Sequence, residues 1–99
     1  EQAMGRTKLV GPPTDVYALG AILYECLTGR PPFREDSHVD TLLKVVTEEP
    51  APPRQLRAKI PKDLEVICQT CLRKEPGRRY ATAGELADDL DRFAAGLPI

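Results

Sequence analysis

The sequence has no tryptophan, and aromatic residues make up only 5% of its 99 positions. A chain so poor in aromatic rings offers few stacking platforms for single-stranded nucleic acid. It also lacks a dominant charge. The net charge is −1, so no basic footprint argues for nucleic acid or an anionic membrane surface. No apolar run approaches the ~20 residues needed to span a bilayer. The N-terminus has neither the basic nor the apolar part of a signal peptide. There is one histidine, His38, and one methionine, Met4. A chain that opens on Glu1 and holds its only Met at position 4 is expected to be a fragment or a processed piece.

Cysteine is also sparse. The three residues are Cys26, Cys68 and Cys71. An odd count argues against a disulfide framework and for a reducing, cytoplasmic setting. Cys68 and Cys71 have the C-x-x-C spacing of zinc and redox sites, but only Cys26 and His38 remain as further soft ligands. The plainer reading places both cysteines on the apolar stripe of a helix, as small hydrophobes.

What is present is an ordinary globular balance, 41% hydrophobic and 29% charged, of a length that suits one domain or part of one. The spacing of apolar residues predicts four helices and no strand of consequence, an all-α chain. Residues 1 to 13 read as loop. Thr14 is expected to cap the first helix, with Asp15 in its first turn, where a negative charge suits the helix dipole. From Val16 to Leu27 this helix is apolar on every side, which predicts burial on every side. Gly29, Pro31 and Pro32 end it. A second helix is expected over 37 to 47, with Val39, Leu42, Leu43 and Val46 as its apolar face. Residues 48 to 60 read as a proline-rich connection. A third helix opens at Pro61, with Leu64, Ile67, Cys68, Cys71 and Leu72 on its stripe. A turn around Pro76 and Gly77 leads to a fourth helix. That helix starts with the capping box Thr82-x-x-Glu85 and turns Leu86, Leu90 and Phe93 inward.

Candidate chemistry is thin. His38 reads as a solvated surface residue. Asp88, Asp89 and Asp91 read as a solvated acidic face, with hard-cation binding as the sharper alternative. Arg73, Lys74, Arg78 and Arg79 form a basic knot between helices. It completes a helix dipole, with one arginine paired internally, or contacts phosphates in a helix-turn-helix DNA binder. The net charge and the proline-glycine turn weigh against the latter.

Two stretches, "TDVYALGAILYECLTGRPPF" and "PKDLEVICQTCLRKEPGRRYATAGELADDL", together resemble the C-terminal part of the large lobe of the protein kinase domain, in its bacterial serine/threonine form. The resemblance covers nearly all of residues 1 to 99, with no second domain. It rests on an Asp-x-Tyr-x-Leu-Gly helix start, a Leu-Thr-Gly-x-Pro-Pro-Phe exit and a Cys-Leu-x-Lys-x-Pro-x-x-Arg-Tyr turn, in the family's order. "EQAMG" is similar to the residues directly after the Ala-Pro of the family's A-P-E motif, which would make Glu1 the acid of that motif.

The resemblance implies that the apolar helix is the central helix of the lobe. It implies that Asp15 accepts hydrogen bonds from the catalytic-loop backbone, that Arg79 pairs with Glu1, and that the 37 to 47 helix docks substrates or regulators. It implies ATP and Mg for an intact parent kinase. No catalytic, nucleotide-binding or metal-binding residue is carried over to this chain. The Gly-rich loop, the strand lysine, the catalytic-loop Asp and Asn, and the Asp-Phe-Gly aspartate do not occur in it. The other reading is a helical interaction module without chemistry.

Overall fold

The computed structural model describes residues 11–33, 43 and 48–99. Glu1, His38, Val39, Leu42 and Val46 lie outside the described residues. Leu43, from the same expected helix, is helical and exposed.

Helix α1 spans Pro12–Thr28. It begins two residues before the expected cap. Gly11 is the N-cap and has no side chain to cap with, and Thr14 is already helical, its N–H bonded to the Gly11 carbonyl at 2.9 Å. The reason is the Pro12-Pro13 pair. Proline supplies a helical φ and has no N–H to satisfy, so a first turn can start here with glycine at the cap. Gly29 ends the helix in the left-handed region, φ 85°.

The expected connection holds a short helix, α2, over Pro53–Leu56. Its cap comes from afar. The Arg54 N–H donates to Oε2 of Glu65 at 2.9 Å, so a buried carboxylate from the next helix satisfies an end that its own sequence leaves open. Helix α3 spans Lys62–Cys71, with Pro61 as its N-cap rather than its first residue. A single 3-10 turn covers Pro76–Arg78. Helix α4 spans Ala83–Ala94. The first half of its capping box forms as read: the Glu85 N–H donates to Thr82 Oγ1 at 3.2 Å. The Glu85 carboxylate reaches one residue further back than the standard box and accepts from the Ala81 N–H at 3.0 Å. No strand occurs among the described residues.

The helices meet around α1. Val16, Gly20 and Tyr24 are its buried positions, four residues apart and so on one face. Val16 joins Ile67, Cys71 and Leu86 in one core cluster. Tyr24 joins Cys68 and Leu72 in a second. Gly20 lies between them, where α3 crosses. A Cβ built on it would sit 2.4 Å from the Cys71 Cβ, so the close approach of the two helices depends on glycine. The Tyr24 hydroxyl donates to the Ala51 carbonyl at 2.7 Å and ties the proline-rich segment to α1.

The expectation of burial all round α1 is not met among the described residues. Leu19 is 41% exposed and Ile22 61%. One stripe of the helix is buried by α3 and α4, and a second apolar stripe is open.

Candidate functional site

Two features stand out: the junction at Arg79 and the open apolar face of α1. At the junction the 3-10 turn ends at Arg79, whose backbone N–H bonds to the Pro76 carbonyl at 3.2 Å. This aims the side chain inward. Its Nε–H donates to the Arg73 carbonyl at 2.7 Å, Nη1 to the Pro13 carbonyl at 3.0 Å, and Nη2 to the Lys74 carbonyl at 3.2 Å. The guanidinium lies 4.9 Å from the Tyr17 ring centroid, within cation–π range. An arginine paired internally at this turn is legible in the sequence; three backbone carbonyls as its partners and Tyr17 as its cover are not.

Tyr17 has its ring under Arg79 and a buried hydroxyl without a hydrogen-bond partner among the described residues. Burial raises its pKa, and the nearby Arg79 charge partly offsets this. Beside it the Lys74 ammonium sits 4.8 Å from the Phe33 ring centroid. Burial pulls that ammonium's pKa below its ordinary value. Phe33 thereby joins the exit of α1 to the basic knot. Arg73 and Arg78 are exposed. Asp15 is exposed in the first turn of α1, two residues from the carbonyl that Arg79 holds.

The other sequence candidates separate. Cys68 and Cys71 are fully buried, as the helical stripe implied. The Cys68 thiol points at the Gly20 carbonyl, 3.6 Å away. Burial pushes both thiols up to about 12, so neither forms a thiolate readily near neutral pH. Cys26 is exposed. In the acidic run, Asp89 accepts from the Tyr80 hydroxyl at 2.6 Å and pairs with Arg92 at 2.6 Å. The Tyr80 hydrogen bond, followed by Arg92, holds its carboxyl below the usual range. Asp88 and Asp91 are exposed. Among the described residues no group of His, Cys, Asp and Glu is placed to hold a metal ion. No described helix is long and apolar enough to cross a membrane.

Burial also predicts the reactivity of the cysteines. At pH 8 in the folded chain, iodoacetamide is expected to label Cys26 and to spare Cys68 and Cys71 until denaturant is added. Peptide mass mapping reads this directly. The raised thiol pKa values also set a pH dependence. A thiol that titrates at 9.0 unfolded and at about 12 folded keeps its full contribution to stability below pH ~9. That contribution is lost as the pH rises toward 12, because the unfolded chain releases the proton first.

The apolar face is a groove of about 440 Å³. Leu19, Ile22, Leu23 and Cys26 of α1 form one wall, and Ala83, Leu86, Ala87 and Leu90 on the α4 side form the other. Its lining is almost wholly carbon. A contiguous apolar surface of this kind marks an interaction site rather than scattered exposure.

The protein kinase domain model matches residues 3–89. The chain is 45% identical over 98 residues to the serine/threonine-protein kinase PknB of Mycobacterium leprae, covering 99% of this chain and 15% of that protein. It is 40% identical over 100 residues to the probable serine/threonine-protein kinase PknB of Bifidobacterium longum, covering all of this chain and 14% of that one. It is 39% identical over 80 residues, 81% of this chain and 12% of the other, to the probable serine/threonine-protein kinase CPE1738 of Clostridium perfringens. The chain thus spans about 15% of the length of the first of these relatives. With the all-α architecture and a match of this extent, the chain belongs to the protein kinase domain family.

Proposed function

We propose that residues 1 to 99 form the C-terminal part of the large lobe of a serine/threonine protein kinase domain. The polypeptide that carries them transfers the γ-phosphate of ATP to protein serine or threonine. This part acts as scaffold and docking surface. The observation that carries the reading is the second apolar stripe of α1, with Leu19 and Ile22 exposed beside Leu86 and Leu90. A helix built to be apolar on both sides is built for neighbours on both sides, and here those neighbours are the other large-lobe elements of the kinase. The names of the relatives support the reaction class.

Within that reading Asp15, exposed at the mouth of α1, takes hydrogen bonds from the catalytic-loop backbone, and Glu1 pairs with Arg79. The 37 to 47 helix, of which Leu43 is described as exposed, presents Val39, Leu42, Leu43 and Val46 to protein substrates or regulators. The setting is the cytoplasm. The sequence holds no phosphate loop, and the described residues hold no metal-ligand cluster. Nucleotide and metal are therefore assigned to other parts of the kinase, and no step of the transfer runs through this chain.

The test is the encoded sequence before Glu1. It is expected to hold the Gly-rich loop, the strand lysine, the catalytic-loop Asp and Asn and the Asp-Phe-Gly motif, in that order. A stop codon or unrelated sequence there would favour the interaction module without chemistry.

A further inference from the structure

Arginine has five N–H donors in a fixed planar fork. In Arg79 three of them are committed to backbone carbonyls: Pro13 in the first turn of α1, and Arg73 and Lys74 just past the end of α3. We infer that Arg79 is first a backbone staple between these two elements. It sets the first turn of α1, and with it Asp15, and a carboxylate partner takes only the donors left over. In its functional part this rests on the reading that Asp15 holds the catalytic loop.

The geometry explains why arginine is needed. The carbonyls lie on two different elements, and a fork whose nitrogens diverge in a plane reaches both at 2.7 to 3.2 Å. Stacking on Tyr17 fixes the plane. Lysine gathers its three donors on one nitrogen. It would keep the charge and could still pair with Glu1, but it could not bridge carbonyls on both sides. Arg79 is thus a positioning residue, acting through the α1 backbone on Asp15.

Two substitutions separate the staple from the ion pair. Arg79→Lys keeps the charge and breaks the staple. Glu1→Gln removes the carboxylate's charge and leaves the staple. Both are made in the full kinase polypeptide that carries this chain. Amide hydrogen exchange is followed at residues 15–17 and 72–74, and kcat and the KM for ATP are measured well below the melting temperature. Arg79→Lys is expected to speed exchange in both segments about tenfold or more and to lower kcat with KM unchanged, kcat being taken per folded molecule with the folded fraction read by circular dichroism, so that loss of folded enzyme is excluded as the cause. Glu1→Gln is expected to change exchange and kcat by less than about threefold. The reverse ranking, or equal effects, overturns the inference. Should Arg79→Lys fail to fold while Glu1→Gln folds, the ranking holds in its extreme form. Should Glu1→Gln fail to fold, the ion pair dominates and the inference is wrong. If the unmodified polypeptide transfers no phosphate, the proposed function falls, while the exchange comparison still decides the staple.

Discussion

Gly20→Ala is expected to destabilise the chain by about 2 kcal/mol or more, although it improves the local helix. Alanine in place of a mid-helix glycine is worth up to ~1 kcal/mol in propensity. Against this, the new methyl would lie 2.4 Å from the Cys71 Cβ and 3.3 Å from Leu72 Cδ2. A Cβ cannot swing aside as the tip of a long side chain can, so α1 and α3 must move apart. Overpacking of this kind costs ~1–3 kcal/mol, occasionally more, and a contact anchored to the backbone belongs at the upper end. The clash outweighs the propensity gain. Cys71→Ala gives no relief, because alanine keeps the Cβ. The internal control is Gly84→Ala in α4, where the new Cβ meets nothing nearer than Thr82 Oγ1 at 3.6 Å. There only the propensity gain remains, and the chain is expected to gain up to ~1 kcal/mol. Urea melts of both variants read the difference in sign. A neutral Gly20→Ala would mean that α1 and α3 do not cross where described.

Tyr24→Ala is expected to cost more still, ~3–5 kcal/mol, the range for deleting a buried aromatic side chain. Tyr24 is 1% exposed and packs with Cys68 and Leu72, with Leu27 and Leu56 at the edge of the cluster. Removing it opens a cavity where α1, α2 and α3 meet. Tyr24→Phe separates ring from hydroxyl. It keeps the packing and loses the bond to the Ala51 carbonyl, a loss of ~1 kcal/mol. A typical domain has ~5–15 kcal/mol of stability, so Tyr24→Ala is expected to leave a small chain largely unfolded and Tyr24→Phe to leave it folded. Comparable losses in the two variants would contradict the packing described for the ring.

The parts of this fold that were legible in the sequence are those set by near neighbours. The capping box of Thr82 and Glu85 lies within four residues, and its first half forms. The stripe of Ile67, Cys68 and Cys71 repeats at helical spacing, and it is buried. The start of α1 was misplaced because two competing signals lie side by side. Thr14 is a good cap by type, yet the Pro12-Pro13 pair before it already meets the needs of a first turn. Helix α2 went unseen because its cap, Glu65, is eleven residues away and belongs to another helix. The Arg79 site was half legible. An arginine held in a tight turn could be read locally, but its Pro13 partner is 66 positions distant. Burial on every side of α1 is not reached, and the open apolar patch that remains has a physical reason as well. Apolarity on every side states what a helix is built to contact, and α3 and α4 cover only one stripe of it.

Under the proposed function this chain is one part of a kinase lobe and works only with the rest of its domain. The most direct test is transfer of labelled phosphate from ATP to a serine- and threonine-containing basic protein. It is run with the encoded polypeptide and, in parallel, with the purified 99-residue chain. Chelator-sensitive incorporation is expected from the polypeptide and none from the chain. Incorporation by the 99-residue chain alone, or none by the polypeptide, would contradict the proposed function.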